Sequence, residues 1–298
     1  MVGYLVFLAI STAIFALFCL GLNLQWGFTG LINFGHVAFM TVGAYTTVLL
    51  SLQGVPLILA TLVGMALAAL LGLLMGISTL RLREDYLAIV TIGVSEVIRL
   101  VVNNQDLPIG KEWKSGVFGV QSFPLPLGGS KPALMVLALL VLFLVFWLLE
   151  RFVRSPWGRI LKAIREDEEI PKALGKNVFW YKLQALMLGG AIAGLAGAFY
   201  AWQLTTVYPN NFEPLVTFDA WTIVVLGGAG NNIGTILGTI IYWAYDAVTR
   251  FVLPQIIPLD ASRLGAFRIM VIGLILILLM RWRPQGILGK KEELTLGK

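Results

Sequence analysis

The chain of 298 residues is 58% apolar and only 13% charged, with a mean hydropathy of +0.85. Soluble domains carry about 25% charged residues, so this composition argues against a soluble globular protein and for one that crosses a membrane repeatedly. The net charge of +6 falls largely in loops and not in a basic stripe with interleaved aromatic residues. We therefore expect it to report membrane topology, and we expect no nucleic-acid partner.

Long apolar segments alternate with polar loops along the chain. The apolar segments cover residues 4–22, 37–52, 55–79, 87–102, 133–149, 183–204, 220–230, 233–252 and 267–280. They predict an all-α multi-pass membrane protein with about eight to ten transmembrane helices, built as a single domain over residues 1–298. Because a span needs about 20 residues, the segment 220–230 is expected to be a re-entrant or broken helix.

Loops rich in Lys and Arg face the cytoplasm in multi-pass membrane proteins. This rule assigns three parts of the chain to that side: Arg81 and Arg83, the segment 151–182, and the tail 281–298 with Arg281, Arg283, Lys290 and Lys291. If every apolar segment crosses, the N-terminus lies outside, together with the loops 103–132 and 208–214.

Two stretches interrupt the apolar segments with glycine and amide residues. They read G-F-T-G-L-I-N-F-G-H at 27–36 and G-G-A-G-N-N-I-G at 227–234. Unwound backbone is tolerated in a membrane only beside protein or a water-filled cavity, and paired broken helices point to a transporter's central pathway. Candidates for lining that pathway are Asn33, His36, Gly227, Gly228 and Gly230. Close helix packing is the alternative for each glycine. For His36, the alternative is a hydrogen bond at a helix start.

Charged residues also lie inside apolar segments. Glu96 and Arg99 are three residues apart, and Asp246 and Arg250 are four apart, so each pair shares one helix face and can neutralise itself. The carboxylates and Arg99 are further candidates for the substrate pathway. The alternative for both pairs is a structural ion pair, which for Glu96 and Arg99 would lie near the outer interface.

Signatures of covalent chemistry are missing from the sequence. It contains no G-x-x-x-x-G-K-[ST] loop, no G-x-G-x-x-G after a strand and no H-E-x-x-H, and it has one histidine and one cysteine. We therefore expect no catalytic residues, no metal site and no cofactor bound by this chain. Uphill transport would have to draw energy from an ion gradient or from another subunit.

The segment 151–182 reads R-F-V-R-S-P-W-G-R-I-L-K-A-I-R-E-D-E-E-I-P-K-A-L-G-K-N-V-F-W-Y-K. Ser155 can cap a helix that begins at Pro156, and one face of that helix holds Trp157, Ile160, Leu161 and Ile164. The acidic run 166–169 comes late in this helix, against the preference of the helix dipole. Either Pro171 begins a second short helix, which the acids favour, or the charges serve a partner. A solvated loop is the alternative.

Six runs in chain order carry a resemblance to a known family. They are G-L-N-L-Q-W-G-F-T-G-L-I-N-F-G-H-V-A-F-M-T-V-G-A-Y (21–45), R-L-R-E-D-Y-L-A-I-V-T-I-G-V-S-E-V-I-R (81–99), S-P-W-G-R-I-L-K-A-I-R-E-D-E (155–168), A-L-G-K-N-V-F-W-Y-K-L (173–183), V-V-L-G-G-A-G-N-N-I-G-T-I-L-G (224–238) and R-P-Q-G-I-L-G (283–289). Through these runs, essentially the whole chain resembles the LivM-type permeases of branched-chain amino acid ABC importers.

The resemblance implies a multi-pass subunit in the lipid of the bacterial inner membrane. Its expected partners are a second, homologous permease, two cytoplasmic ATPases that use the ATP, and an external (periplasmic) substrate-binding protein. It implies ATP-driven alternating access that moves branched-chain or other neutral amino acids into the cytoplasm. Urea, short amides or another small polar solute are alternative substrates. An ion-coupled secondary transporter and a non-transporting scaffold subunit are alternative functions.

On this resemblance, the segment 151–182 couples the permease to an ATPase. Trp157, Ile160, Leu161 and Ile164 would offer an apolar ridge, and Glu168, Ala173, Leu174 and Gly175 would lie at the turn that follows. Gly175 suits a left-handed position at a helix end. The family usually has small residues where this chain has Ile170 and Pro171, which favours two short helices with a bend.

Overall fold

The computed structural model describes residues 2–80, 84–110, 112–256, 261–283 and 285–289. The predicted cytoplasmic residues Arg81, Arg83, Lys290 and Lys291 lie outside the described residues. Helices form most of the described chain, which confirms the predicted all-α fold. The helices are α1 (Val2–Leu22), α2 (Val37–Leu52), α3 (Leu57–Thr79), α4 (Glu84–Asn104), α5 (Lys131–Arg154), α6 (Pro156–Glu166), α7 (Glu169–Ala173), α8 (Val178–Leu204), α9 (Leu215–Gly227), α10 (Asn232–Ile256) and α11 (Ala261–Trp282).

Several helices have the length and composition of membrane spans. In the part of the chain that the structure describes, five helices qualify, namely α1 with its extension to Gly27, α3, α4 from Tyr86, α5 and α8. The helices α9 and α10 qualify together but bend by 117° between them, so they form a broken span or a re-entrant loop. The chain is therefore a multi-pass membrane protein, and the predicted interruption near residue 227 is confirmed.

The centre of the fold is the pair α1 and α8, which are mostly buried, whereas α3, α4 and α5 expose most of their surface. Small residues let α2 approach α8 closely: a Cβ at Gly43 would overlap the backbone of Gly194, and one at Gly197 would overlap the carbonyl of Met40. Inside lipid the hydrophobic effect does not drive helices together, so close packing of this kind is what holds them against each other. The buried core around them includes Phe18 and Phe39.

One end of the molecule carries all the strands in the described residues. A hairpin joins β1 (Asp106–Ile109) and β2 (Glu112–Ser115), and β3 (Val120–Gln121) pairs with β4 (Thr206–Val207). The β3–β4 pairing brings the loops 103–132 and 208–214 to the same end, as their common side predicts. Near the start of α1, the carbonyl of Phe7 accepts a hydrogen bond from Gln203, so the start of α1 also lies at this hairpin end.

The opposite end holds α6, α7, the end of α1 and the turn between α9 and α10. The C-terminal residues join it, because the Ile287 amide donates to the Leu226 carbonyl at 3.0 Å and the Leu288 amide donates to the Gly227 carbonyl at 3.1 Å. The segment 151–182 and the described part of the tail therefore share one end of the molecule, called the basic end below.

Candidate functional site

The two glycine-rich stretches meet at the basic end. Asn23, at the start of a π-helical extension of α1, accepts a hydrogen bond from the Gly230 amide at 2.9 Å and donates to Asn232 at 3.1 Å. Asn232 in turn donates to the Glu150 carboxylate at 3.1 Å. These four residues form the amide cluster. It supplies hydrogen-bond partners to backbone that no helix pairs.

Glycine is required where the stretches touch. A Cβ at Gly27 would overlap the Gly230 amide, and a Cβ at Gly227 would overlap the Gly234 carbonyl. Gly228 and Gly230 have φ angles of +110° and +79°, which side chains other than glycine rarely adopt. The structure therefore supports close packing and turn geometry as the role of Gly227, Gly228 and Gly230. Their place on a substrate pathway stays a prediction.

Asn33 and His36 are both fully buried within the chain. The Asn33 amide donates to Gln25 at 2.9 Å, and its oxygen accepts from the Gly35 amide. The His36 Nε2 lies 3.1 Å from the Phe18 carbonyl oxygen, directly before α2 begins. Neither side chain faces an open path in this conformation, because both hold the interrupted stretch against α1. Among the described residues, no group of three or more His, Cys, Asp and Glu side chains could hold a metal ion.

Helix α6 spans Pro156–Glu166, so the predicted start at Pro156 is confirmed. The predicted cap is wrong, because the Ser155 hydroxyl donates back to the Phe152 carbonyl at 2.6 Å and accepts nothing from the first turn. The predicted apolar ridge is also wrong for Leu161 and Ile164. Leu161 is 0% exposed and packs among Leu20, Leu24, Phe28, Leu149 and Val153, and Ile164 is buried as well. An amphipathic helix covers whichever apolar surface is nearest, and here that surface belongs to α1 and α5.

Polar contacts also tie α6 to the membrane helices. The Arg165 guanidinium donates to the carbonyl oxygen of Gly27, the last residue of the π-helical extension. Trp157, half-buried, donates through Nε1 to Gln184 of α8 at 2.7 Å. Glu168, just after α6, forms an ion pair with Lys182 of α8. These contacts join α6 to the interruption in α1 and to the start of α8.

A second short helix follows, as predicted, but the bend is not at Pro171. The chain leaves helical geometry at Asp167, whose carboxylate accepts from the Glu169 amide at 2.9 Å, and α7 begins at Glu169. Pro171 is the third residue of α7 and is buried. The Glu169 carboxylate accepts a hydrogen bond from Lys172, which raises the pKa of that ammonium group above its ordinary value.

The end of α7 carries an exposed surface. Gly175 has a φ of +72°, which confirms its predicted left-handed conformation, and the Lys176 amide donates to the Pro171 carbonyl at 2.9 Å in a Schellman-type ending. Leu174 is 72% exposed. The α7 surface consists of Ile170, Ala173, Leu174 and Gly175, all exposed. Ile170 and Leu174 are thus large apolar side chains that this polar end leaves exposed.

The intramembrane charges are paired as predicted. Arg99 donates to Glu96 at 2.9 Å and to Asn210 at 3.3 Å, so this pair lies at the hairpin end, distant from the amide cluster. That position supports the structural alternative near an interface. Asp246 and Arg250 form a second ion pair at 3.2 Å on α10. A pathway role for either pair stays a prediction.

Three residues of the basic end are not predicted as site residues from the sequence: Asn23, Glu150 and Arg165. Asn23 is a polar residue at the end of an apolar span and could have drawn notice for that reason. Glu150 and Arg165 carry no such signal, because their partners are 82 and 138 residues away along the chain.

Comparison with known proteins gives a consistent result. Residues 4–280 match the family described as branched-chain amino acid transport system, permease component. The permease protein LivM of the high-affinity branched-chain amino acid transport system of Escherichia coli (strain K12) is 32% identical, with 94% of this chain and 69% of the relative covered. A probable LivM of Methanocaldococcus jannaschii is 26% identical, with 93% of this chain and 90% of the relative covered. The E. coli permease protein LivH is 24% identical, with 93% of this chain and 92% of the relative covered. No solved structure matches the chain significantly.

The family match covers most of the chain, and the match to a relative above 30% identity extends over most of both proteins. This chain belongs to the family of permease components of branched-chain amino acid transport systems.

Proposed function

We propose that the chain is one of two permease subunits of an ABC importer for branched-chain or other neutral amino acids. The observation that carries this proposal is the similarity, over more than nine tenths of this chain, to two permeases of one transport system in E. coli. Two related permeases that pack side by side with approximate two-fold symmetry would enclose a path between them. The multi-pass fold fits residence in the bacterial inner membrane, surrounded by lipid.

ATP would be bound and hydrolysed by two cytoplasmic ATPase subunits, and this chain would bind no cofactor. The α7 surface is the proposed docking site for one ATPase, because its exposed apolar residues stand at the tip of the basic end. Its residues Ala173, Leu174 and Gly175 stand where the resemblance puts the coupling turn. Ile160 and Glu168, both partly exposed, would border the contact.

The route from the ATPase to the membrane would run through α6. Docking moves α7, and α6 follows it because the two helices are joined by only a two-residue bend. Arg165 then passes the movement to the Gly27 carbonyl and so to the amide cluster. Coupling of this kind requires an element with two arrangements, and the interrupted junction of α1 with the α9–α10 turn is a suitable one.

The hairpin end would face the periplasm and receive the external substrate-binding protein. Its β1–β2 hairpin and its Glu96–Arg99 pair, which reaches Asn210, offer polar groups to a docking protein or to a solute. This orientation puts the basic end in the cytoplasm, in agreement with the positive-inside rule.

Uptake by reconstituted vesicles tests the proposal. Proteoliposomes containing this chain, its partner permease, the ATPases and the binding protein should accumulate labelled leucine when ATP is enclosed. They should retain that activity when ionophores collapse the ion gradients. Uptake that needs an ion gradient and ignores ATP would instead identify a secondary transporter. Labelled urea, offered in the same vesicles, tests the alternative substrate class.

A further inference from the structure

A group of aromatic side chains lies beside the interrupted stretch 27–36. Trp26 lies in the π-helical extension of α1, Phe34 lies in the irregular backbone that follows, and Phe218 and Trp221 come from α9. The ring centroids of Trp26 and Trp221 are 4.3 Å apart, those of Phe34 and Trp221 4.8 Å, and those of Phe34 and Phe218 5.3 Å. These four residues form the aromatic cluster, which neither the amide cluster nor the α7 surface includes.

The aromatic cluster stands between two polar regions. Towards the hairpin end, the Phe34 amide donates to Thr91 of α4, and the same helix carries the Glu96–Arg99 pair. Towards the basic end, Trp26 borders a cavity of about 360 Å³. That cavity is also lined by Ile32 and Ile164 and by the polar residues Thr29 and 165–168. The aromatic cluster therefore lies between α4 and a cavity with a largely polar lining at the basic end.

The face of the molecule that carries the aromatic cluster is not suited to contact with lipid. The backbone around Phe34 is neither helix nor strand, and irregular backbone at membrane depth is tolerated only against protein or a water-filled cavity. Yet the face is open: Phe218 is 43% exposed, and Trp26, Phe34 and Trp221 are half-buried. The Trp221 ring is also fixed, because its Nε1 donates to the Asn33 carbonyl at 3.1 Å. A rigid, partly open aromatic wall therefore lies where a cavity or a protein must cover it.

We propose that the aromatic cluster is a specificity-determining constriction of the translocation path and contacts the apolar side chain of the transported amino acid. The inference rests on the proposed importer function. Its rings offer mainly apolar area, and the Nε1 of Trp221 is already bonded to the Asn33 carbonyl, so each methylene of the solute that they cover favours binding about fourfold. A polar side chain would lose most of its water there. The cluster should therefore favour leucine, isoleucine and valine over alanine and over polar solutes.

The test compares solutes in proteoliposomes that hold the complete importer with its binding protein and enclosed ATP. Phe218→Ala should reduce leucine uptake about tenfold and alanine uptake much less, so the ratio of the two rates falls. Phe218→Tyr keeps the ring and should keep the ratio. Phe143→Ala is the matched control, because Phe143 is 68% exposed on α5, outside the cluster, and its loss should leave both rates unchanged.

Other results would overturn the inference. Equal losses of leucine and alanine uptake in Phe218→Ala would show that the cluster does not select the solute. Loss of the second permease on purification, with an unchanged ratio, would identify the cluster as a subunit interface. If the unaltered importer shows no ATP-dependent uptake of any amino acid, the proposed function itself fails, and this is seen before any variant is made.

Discussion

The Arg165 guanidinium donates a hydrogen bond of 2.5 Å to the carbonyl oxygen of Gly27. Gly27 ends the π-helical extension of α1, where backbone carbonyls lack partners within the helix and the helix dipole favours a cation. The contact joins the helix next to the α7 surface to a backbone that is interrupted within the membrane. It thus links the proposed ATPase docking surface to the proposed two-state junction of α1 with the α9–α10 turn.

We predict that Arg165→Gln uncouples ATP hydrolysis from uptake. A hydrogen bond from a charged group contributes about 1.5–3 kcal/mol, so its loss should lower leucine uptake by about tenfold or more. ATPase subunits should still co-purify, because the α7 surface is unchanged. The matched control is Arg159→Gln on the exposed side of the same helix, which should transport normally. Normal uptake by Arg165→Gln would remove this contact from the coupling route.

We predict that Leu174→Asp prevents ATPase association and leaves the permease stable. Leu174 is exposed and surrounded by solvent, so a carboxylate there costs the folded chain within about 0.5 kcal/mol. The same carboxylate would lie unpaired in an apolar contact with the ATPase. Co-purification of the subunits measures the first effect, and thermal unfolding of the purified permease measures the second. Retained association would mean that the ATPase docks elsewhere.

Leu161 should behave in the opposite way. Its side chain is fully buried among residues of α1 and α5, so Leu161→Ala should destabilise the packing of α6 by about 2–5 kcal/mol. We expect faster proteolysis of the segment 151–182 and a lower unfolding temperature. Ile170→Ala, at an exposed apolar site of α7, is the control and should leave both unchanged. Equal stability of the two variants would contradict the buried position of Leu161.

These contrasting residues show what the sequence could and could not predict. Helical spacing and Pro156 identify α6, and Gly175 identifies the end of α7, because both depend on neighbouring residues. An amphipathic pattern also shows that Leu161 is covered, but not by which surface, since partner helix and partner protein select for the same residue types. The pairing of Asn23 with Gly230 spans 207 residues and has no local signal. It follows only from the packing of α1 against the α9–α10 turn.

The amide cluster gives a further prediction. Asn23→Ala removes the acceptor of the half-buried Gly230 amide and the donor to the Asn232 side-chain oxygen, and a buried group left unpaired costs about 1–3 kcal/mol. The purified permease should therefore unfold at a lower temperature. Asn104→Ala is the control, because Asn104 is exposed and bonds only to the Leu100 carbonyl of its own helix among the described contacts. An unchanged unfolding temperature for Asn23→Ala would show that water replaces the lost amide.

Two glycines in helices should respond oppositely to one added methyl group. In Gly227→Ala the new Cβ would overlap the Gly234 carbonyl, which is backbone and cannot rotate away, so α9 and α10 must separate. Since the Leu288 amide bonds to the Gly227 carbonyl, the C-terminal segment would be displaced as well. We expect a destabilised permease with little uptake. Gly93→Ala on α4 is the control: no atom lies within 4 Å of its Cβ, and alanine favours a helix by up to about 1 kcal/mol. Comparable expression, unfolding temperature and uptake in the two variants would show that the α9–α10 turn does not depend on this close backbone approach.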